Sequence, residues 1–236
     1  MATDRPESTV EDSAPAVVRS PRNIVWLIIH CVLYLPFRFW CRTHVIGREN
    51  IAADKGGILL INHQSYLDPL FVAVRLTRTV SYLARDSLFK VPFIGWVCRN
   101  TYVIPISRTA FRGGSIRTAL DRLQAGFLVS IYPEGTRSAG APKTFRPGFL
   151  SLVRRAEVPV YPVAIFGADK AMPKGAWLIR PAKVTVIYGE PLSAQDMEKL
   201  RSDSDDKQLA EFIQKKVSDL YMTIATPADQ RNPEES

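Results

Sequence analysis

Cysteine is scarce in this chain of 236 residues: Cys31, Cys41 and Cys98 are the three. They form no CxxC pair and no even framework, which argues for a reducing compartment and against a zinc site. Histidine is as sparse, with His30, His44 and His63; His44 alternates with apolar neighbours and reads as a surface residue. No metal-ligating cluster is visible, so no metal and no cofactor is expected. A Gly-x-Ser-x-Gly elbow is missing, and with it a serine nucleophile of that kind. No apolar run reaches the roughly 20 residues of a membrane span. There is no internal repeat and no recognisable nucleic-acid module.

What the chain does have is ordinary bulk and unusual charge. Its hydrophobic fraction of 46% is that of a globular protein, and its length suits one sizeable core with appendages. The total charge is +8, but the first twenty residues are net −2 and residues 189–236 net −5, leaving +15 on residues 21–188. A basic body between acidic ends implies an anionic partner: a phospholipid surface, a phosphorylated substrate or nucleic acid. The basic residues are scattered along the chain, which disfavours nucleic acid.

Residues 1–22 are polar and read as disordered. Their four acids argue against a transit peptide, and their polarity against a secretory leader. Ile24–Leu35 is then apolar apart from His30, Cys31 and Tyr34. Pro36 predicts a break, followed by a second short helix through Arg42. Trp26, Tyr34, Arg38, Trp40 and Arg42 favour a membrane interface. We therefore expect a helical motif over 23–42 that dips into one leaflet. The alternative is a helix packed on the protein's own core.

The domain proper is expected over 43–224, with a flexible tail at 225–236. Strands are predicted at Thr43–Gly47, Ile58–Ile61, Val80–Ala84, Thr101–Ile106, Phe127–Tyr132, Val158–Ile165 and Val184–Tyr188. Helical patterns at Ser115–Ala125, Ala194–Leu200 and Lys207–Thr223 alternate with them. This predicts an α/β fold: a single domain with a mixed, largely parallel central sheet flanked by helices.

Three strand ends carry chemistry-bearing residues. After Ile58–Ile61 comes Asn62-His63-Gln64-Ser65-Tyr66-Leu67-Asp68, a strand-to-helix turn of the kind where open α/β sheets place their ligands. Asp68 lies close enough across such a turn to accept a hydrogen bond from His63. That bond would fix the imidazole tautomer and leave the other nitrogen free to take a proton from an alcohol. The alternative is that Asp68 only caps the helix. The second turn ends at Ser107-Arg108, and the third is Pro133-Glu134-Gly135-Thr136-Arg137. Arginine forks match phosphate geometry, and Gly135 allows close backbone approach.

These stretches, in this order, resemble the glycerolipid acyltransferases. Asn62–Asp68 is similar to their HX4D motif and Pro133–Ser138 to their EGTR motif. Val103–Arg108 resembles the block between these two, and Val158–Val163 the last block. Leu88–Trp96 is similar to a further segment. The likeness runs from about Thr43 to Tyr188 and is strongest to bacterial lysophosphatidate acyltransferases. Two places depart from the pattern: Ser107 stands where an acid is usual, and Phe145-Arg146-Pro147-Gly148 has proline in place of one cation.

The resemblance implies transfer of an acyl chain from acyl-CoA or acyl-carrier protein, as co-substrate, to the sn-2 hydroxyl of 1-acylglycerol 3-phosphate. His63 would be the base and Asp68 its orienting carboxylate. Arg108 and Arg137 would hold the phosphate with Arg146, and Glu134, Gly135 and Thr136 would shape that pocket. The apolar stretch Ser87–Cys98 could line an acyl groove, or simply pack in the core. Partners would be an anionic membrane surface, a lyso-lipid acceptor and a thioester donor, at the cytoplasmic face of the inner membrane. Rival readings are another acceptor, such as a lyso-ornithine lipid or a lysophospholipid, and a non-catalytic basic protein binding membrane or nucleic acid.

Overall fold

The computed structural model describes residues 24–76, 78–106 and 113–225. The flexible ends expected at 1–22 and 225–236 therefore lie, Ala225 apart, outside the described residues, as do Ser107 and Arg108.

Seven strands form one sheet: β1 (His44–Ile46), β2 (Gly57–Ile61), β3 (Val80–Arg85), β4 (Ile104–Ile106), β5 (Leu128–Ile131), β6 (Val160–Phe166) and β7 (Thr185–Tyr188). Their order is β1-β7-β6-β2-β5-β3-β4. Every pairing is parallel except β6 with β7. The helices are α1 (Ile24–Phe39), α2 (Asp68–Ala73), α3 (Pro92–Asn100), α4 (Gly113–Gln124), α5 (Leu150–Val153), α6 (Ala168–Ala171), α7 (Ala194–Ser202) and α8 (Asp206–Ile224).

Strand β2 is the middle of the sheet, and all five of its residues are buried. Successive side chains point to opposite faces. Ile58 and Leu60 join a core built with α4, α5, α7 and α8. Leu59 and Ile61 join the other, built with α1, α2 and α6. A strand covered on both faces needs an unbroken apolar run, which is what Ile58-Leu59-Leu60-Ile61 supplies.

The helix after β2 packs on one face, and the helix after its neighbour β5 packs on the opposite face. Between strands whose connections diverge, a crevice opens at the carboxyl edge of a parallel sheet. The position of the His63 turn follows directly from this topology.

Two expectations about local structure need correction. The proline break does not occur: α1 runs through Pro36 to Phe39 as one helix. Proline in a helix interior costs about 3 kcal/mol. Here the turn after it is held by Phe37, which is 1% exposed and packs 4.5 Å from the Phe71 ring. The strand expected at Thr101–Ile106 begins only at Ile104, because α3 extends to Asn100 and Tyr102 takes a left-handed conformation with φ 61°. Pro105 sits as expected on an edge strand, where its missing N–H breaks no ladder.

Leu60→Ala should lower the unfolding free energy by about 2–5 kcal/mol, since it empties space beneath the central strand. Urea denaturation of the two proteins measures it; a loss within about 0.5 kcal/mol, as at exposed positions, would contradict the packing described.

Candidate active site

The turn after β2 is built around one carboxylate. Asp68 is fully buried. Its Oδ2 lies 2.7 Å from His63 Nδ1 and accepts the backbone N–H groups of Gln64 at 2.7 Å and Ser65 at 2.9 Å. It does not cap its own helix; it closes the loop in front of it. The two amide donors already point at Oδ2, so this oxygen serves as an acceptor, an arrangement that favours the His63 tautomer with its proton on Nδ1. Burial pushes the Asp68 carboxyl above the ordinary range, and the bonds from His63, Ser65 and Gln64 pull it back down. Its Oδ1 has no partner among the described residues.

His63 is held from other directions as well. Its ring packs against Tyr132, 4.5 Å between centroids. Its backbone N–H donates to Glu134 Oε1 at 2.9 Å, and its carbonyl accepts Ser138 N–H at 2.8 Å. This follows from the register of β2 and β5, where Leu60 faces Ile131; three residues further on, His63 comes opposite Glu134. The imidazole side chain is 19% exposed. Among the described residues nothing hydrogen bonds Nε2, the nitrogen directed away from Asp68. A ring fixed at one nitrogen and open at the other can take a proton from a bound hydroxyl.

Glu134 is placed differently from the expectation that it lines the ligand pocket. It is 3% exposed, and its second oxygen accepts the Ser138 hydroxyl at 2.7 Å. With both oxygens engaged inward it fixes the two turns to each other. Burial raises its carboxyl above the usual value, opposed by bonds from Ser138 and from the His63 and Lys143 backbones.

The next residues of the loop turn outward: Gly135 and Thr136 are exposed and Arg137 is partly exposed. Gly135 has φ 67°, a left-handed conformation that favours glycine. A Cβ there would stand 3.4–3.5 Å from the Arg146 side chain, so Arg146 crosses directly over this residue. Arg146 is brought in by its backbone N–H to Pro133 O, 2.9 Å. The Arg137 guanidinium lies 3.4 Å from the centroid of the Tyr66 ring, itself part of the His63 turn. Thr136 is exposed beside it. Neither arginine pairs with a carboxylate among the described residues. His63, Asp68, Glu134, Gly135, Thr136, Arg137 and Arg146 thus come together at one sheet edge.

A cavity of about 330 Å³ has Tyr66 as part of its wall. Its walls include Trp26, Ile29 and Leu33 of α1, Pro69 and Leu70 of α2, and Leu88, Ile94 and Val97 around α3. The stretch Ser87–Cys98 therefore does line a groove. Tyr66 touches both regions: it carries a cation on its ring and walls an apolar cavity.

The sequence reading missed the residues that brace this arrangement. Asn62 exchanges two hydrogen bonds with Ile165 of β6. Gln64 spans from Gly140 O to Ala168 N–H. Polar residues directly following a buried strand are the available signal, since burial obliges them to find partners.

Residues 42–166 match the sequence model of the Acyltransferase family. The chain belongs to that family. A 1-acyl-sn-glycerol-3-phosphate acyltransferase of Bacillus subtilis is 27% identical over 177 residues, covering 75% of this chain and 86% of its own. One of Chlamydomonas reinhardtii is 32% identical over 175 residues, 72% of this chain and 51% of its own. The chain spans about half the length of such plant and algal relatives. The crystal structure of the 1-acyl-sn-glycerophosphate acyltransferase PlsC from Thermotoga maritima is similar with a TM-score of 0.68 at 27% identity, covering 84% of this chain and 79% of that one.

Glu134→Gln should change the pH dependence of stability. A carboxyl raised in the folded state stabilises most below its unfolded value, and that contribution is lost as pH rises through the folded value. Relative to the glutamine variant, the native protein should therefore lose unfolding free energy as pH rises upward from the ordinary carboxyl value of about 4.5. Urea midpoints of both proteins across that rise check this; a relative gain with pH would contradict it.

Proposed function

We propose that the protein joins an acyl chain from an acyl thioester to the sn-2 hydroxyl of 1-acylglycerol 3-phosphate, giving phosphatidate. The observation that carries the reading is Tyr66, which joins a cationic loop to an apolar cavity within the turn that holds His63. A ligand with an anionic head and a hydrocarbon chain fits that pair of surfaces. The names of the relatives support the same acceptor.

In this reading His63 Nε2 takes the hydroxyl proton as the oxygen attacks the thioester carbonyl. The new C–O ester bond forms, the C–S bond breaks, and the proton passes from the imidazolium to the departing thiolate or to solvent. Asp68 stabilises the imidazolium and sets its tautomer. Arg137 and Arg146, with Arg108, bind the phosphate, and Gly135 and Thr136 shape that loop. The cavity holds the acyl chain. CoA or acyl-carrier protein brings the donor.

The mostly apolar helix α1 docks into one leaflet of an anionic bilayer, at the cytoplasmic face of the inner membrane. No helix among the described residues is long and apolar enough to cross. Residues 23–42 then serve as the membrane motif and 43–224 as the acyltransferase domain. Ser107 and Pro147 depart from the family pattern, which keeps another lyso-lipid acceptor as the second reading. Product analysis over a panel of lyso-lipids separates the two.

His63→Ala should reduce kcat/KM for acyl transfer by about 10²–10⁴-fold with the fold intact; near-native turnover would remove His63 from the chemistry. Arg137→Ala should act mainly on the KM for the phosphorylated acceptor. An unchanged KM would exclude Arg137 from the phosphate site.

A further inference from the structure

The long connection between α6 and β7 exposes an apolar tip that the proposed reaction does not use. Trp177 is 83% exposed and Leu178 57%, with Ile179 next to them. The loop is a held structure: Arg180 N–H donates to Ala171 O at 2.8 Å, closing its base, and Ala176 N–H donates to Pro173 O at 3.0 Å near its tip.

This tip continues the outer face of α1. The indole N–H of Trp40 donates to Ile179 O at 3.3 Å. Ile179 shares an open apolar depression with Leu35, Phe39 and Trp40. Ile24, Ile28, Val32, Leu35 and Phe39 are all exposed, spaced so that they run along one side of the helix. The exposed apolar surface therefore passes from α1 onto the loop without a break.

Charge selects the occupant. Between Asp169 and Glu190 the chain contains no acid and four cations, Lys170, Lys174, Arg180 and Lys183. Lys174, Arg180 and Lys183 are exposed, as is Arg42 just beyond α1. An apolar tip carrying tryptophan and flanked in the chain by exposed cations matches the boundary between acyl chains and anionic headgroups.

We propose that Trp177-Leu178-Ile179 is a second membrane anchor, inserting into an anionic bilayer beside the carboxyl end of α1. The proposal rests on the reading that α1 docks on a membrane, and it adds a contact distant in sequence from that helix. Two points of insertion would fix rotation about the α1 axis, which one helix leaves free.

The test is co-sedimentation with vesicles of phosphatidylglycerol and phosphatidylethanolamine. The double variant Trp177→Ser/Leu178→Ser should partition about tenfold more weakly than the native protein, while retaining its thermal transition and its activity on detergent-dispersed acceptor. Brominated lipids should quench a component of the tryptophan fluorescence that Trp177→Phe removes. An α1 variant, Ile28→Ser/Val32→Ser, separates the two readings. If that variant detaches but the loop variant binds as the native protein does, the loop proposal is overturned and helix docking stands. If the native protein itself ignores the vesicles, both fall. A dimer in light scattering that the loop variant dissolves would assign this face to a second copy of the chain and also overturn the proposal.

Discussion

One oxygen atom, Asp68 Oδ2, organises the centre of this molecule. It gathers His63 Nδ1 and the N–H groups of Gln64 and Ser65 from a turn that would otherwise carry those groups unpaired. Charge-assisted bonds of this sort are roughly twice as strong as neutral ones, and in a buried setting they strengthen further. The same burial makes the carboxylate costly, and its raised proton affinity expresses that cost. The fold tolerates a destabilised group here because three donors surround it. This combination of strain and satisfaction is common where chemistry is done.

The sheet gives that atom its consequence. Parallel pairing of β2 with both β5 and β6 sets three strand ends side by side. Glu134 reaches from the second to the His63 backbone, and Asn62 ties the first to Ile165 in the third. Glu134 and Asp68 thus have parallel roles, each a buried acid spent on orienting the same turn. The Pro133–Ser138 loop turns its acid, Glu134, inward and its one cation, Arg137, onto the Tyr66 ring, while Arg146 crosses over Gly135 from the next segment. Tyr66 carries the Arg137 cation on its ring and also walls the apolar cavity.

Much of this was legible in the sequence. The unbroken run Ile58–Ile61 marks a central strand because only such a strand is buried on both faces. Five-residue spacing put His63 and Asp68 within reach, and the geometry bears that pairing out. Strand and helix alternation gave the α/β class with its mostly parallel sheet. What was not legible depended on contacts distant in sequence. Whether α1 would break at Pro36 was decided by Phe37 meeting Phe71, which no local pattern contains. The inward rotation of Glu134 depended on its hydrogen bond to His63, in a turn seventy-one residues earlier. The exposure of Trp177 was equally invisible, since an apolar triplet in a loop usually packs on something.

The central claim is that Asp68 holds the proton of neutral His63 on Nδ1 and leaves Nε2 as the reactive nitrogen. Nitrogen NMR of the imidazoles reads this directly, and with only three histidines the signals can be assigned by substitution. The account predicts that neutral His63 carries its proton on Nδ1, with Nε2 bare, and that Asp68→Ala abolishes this preference. A neutral His63 protonated on Nε2 in the native protein would contradict it.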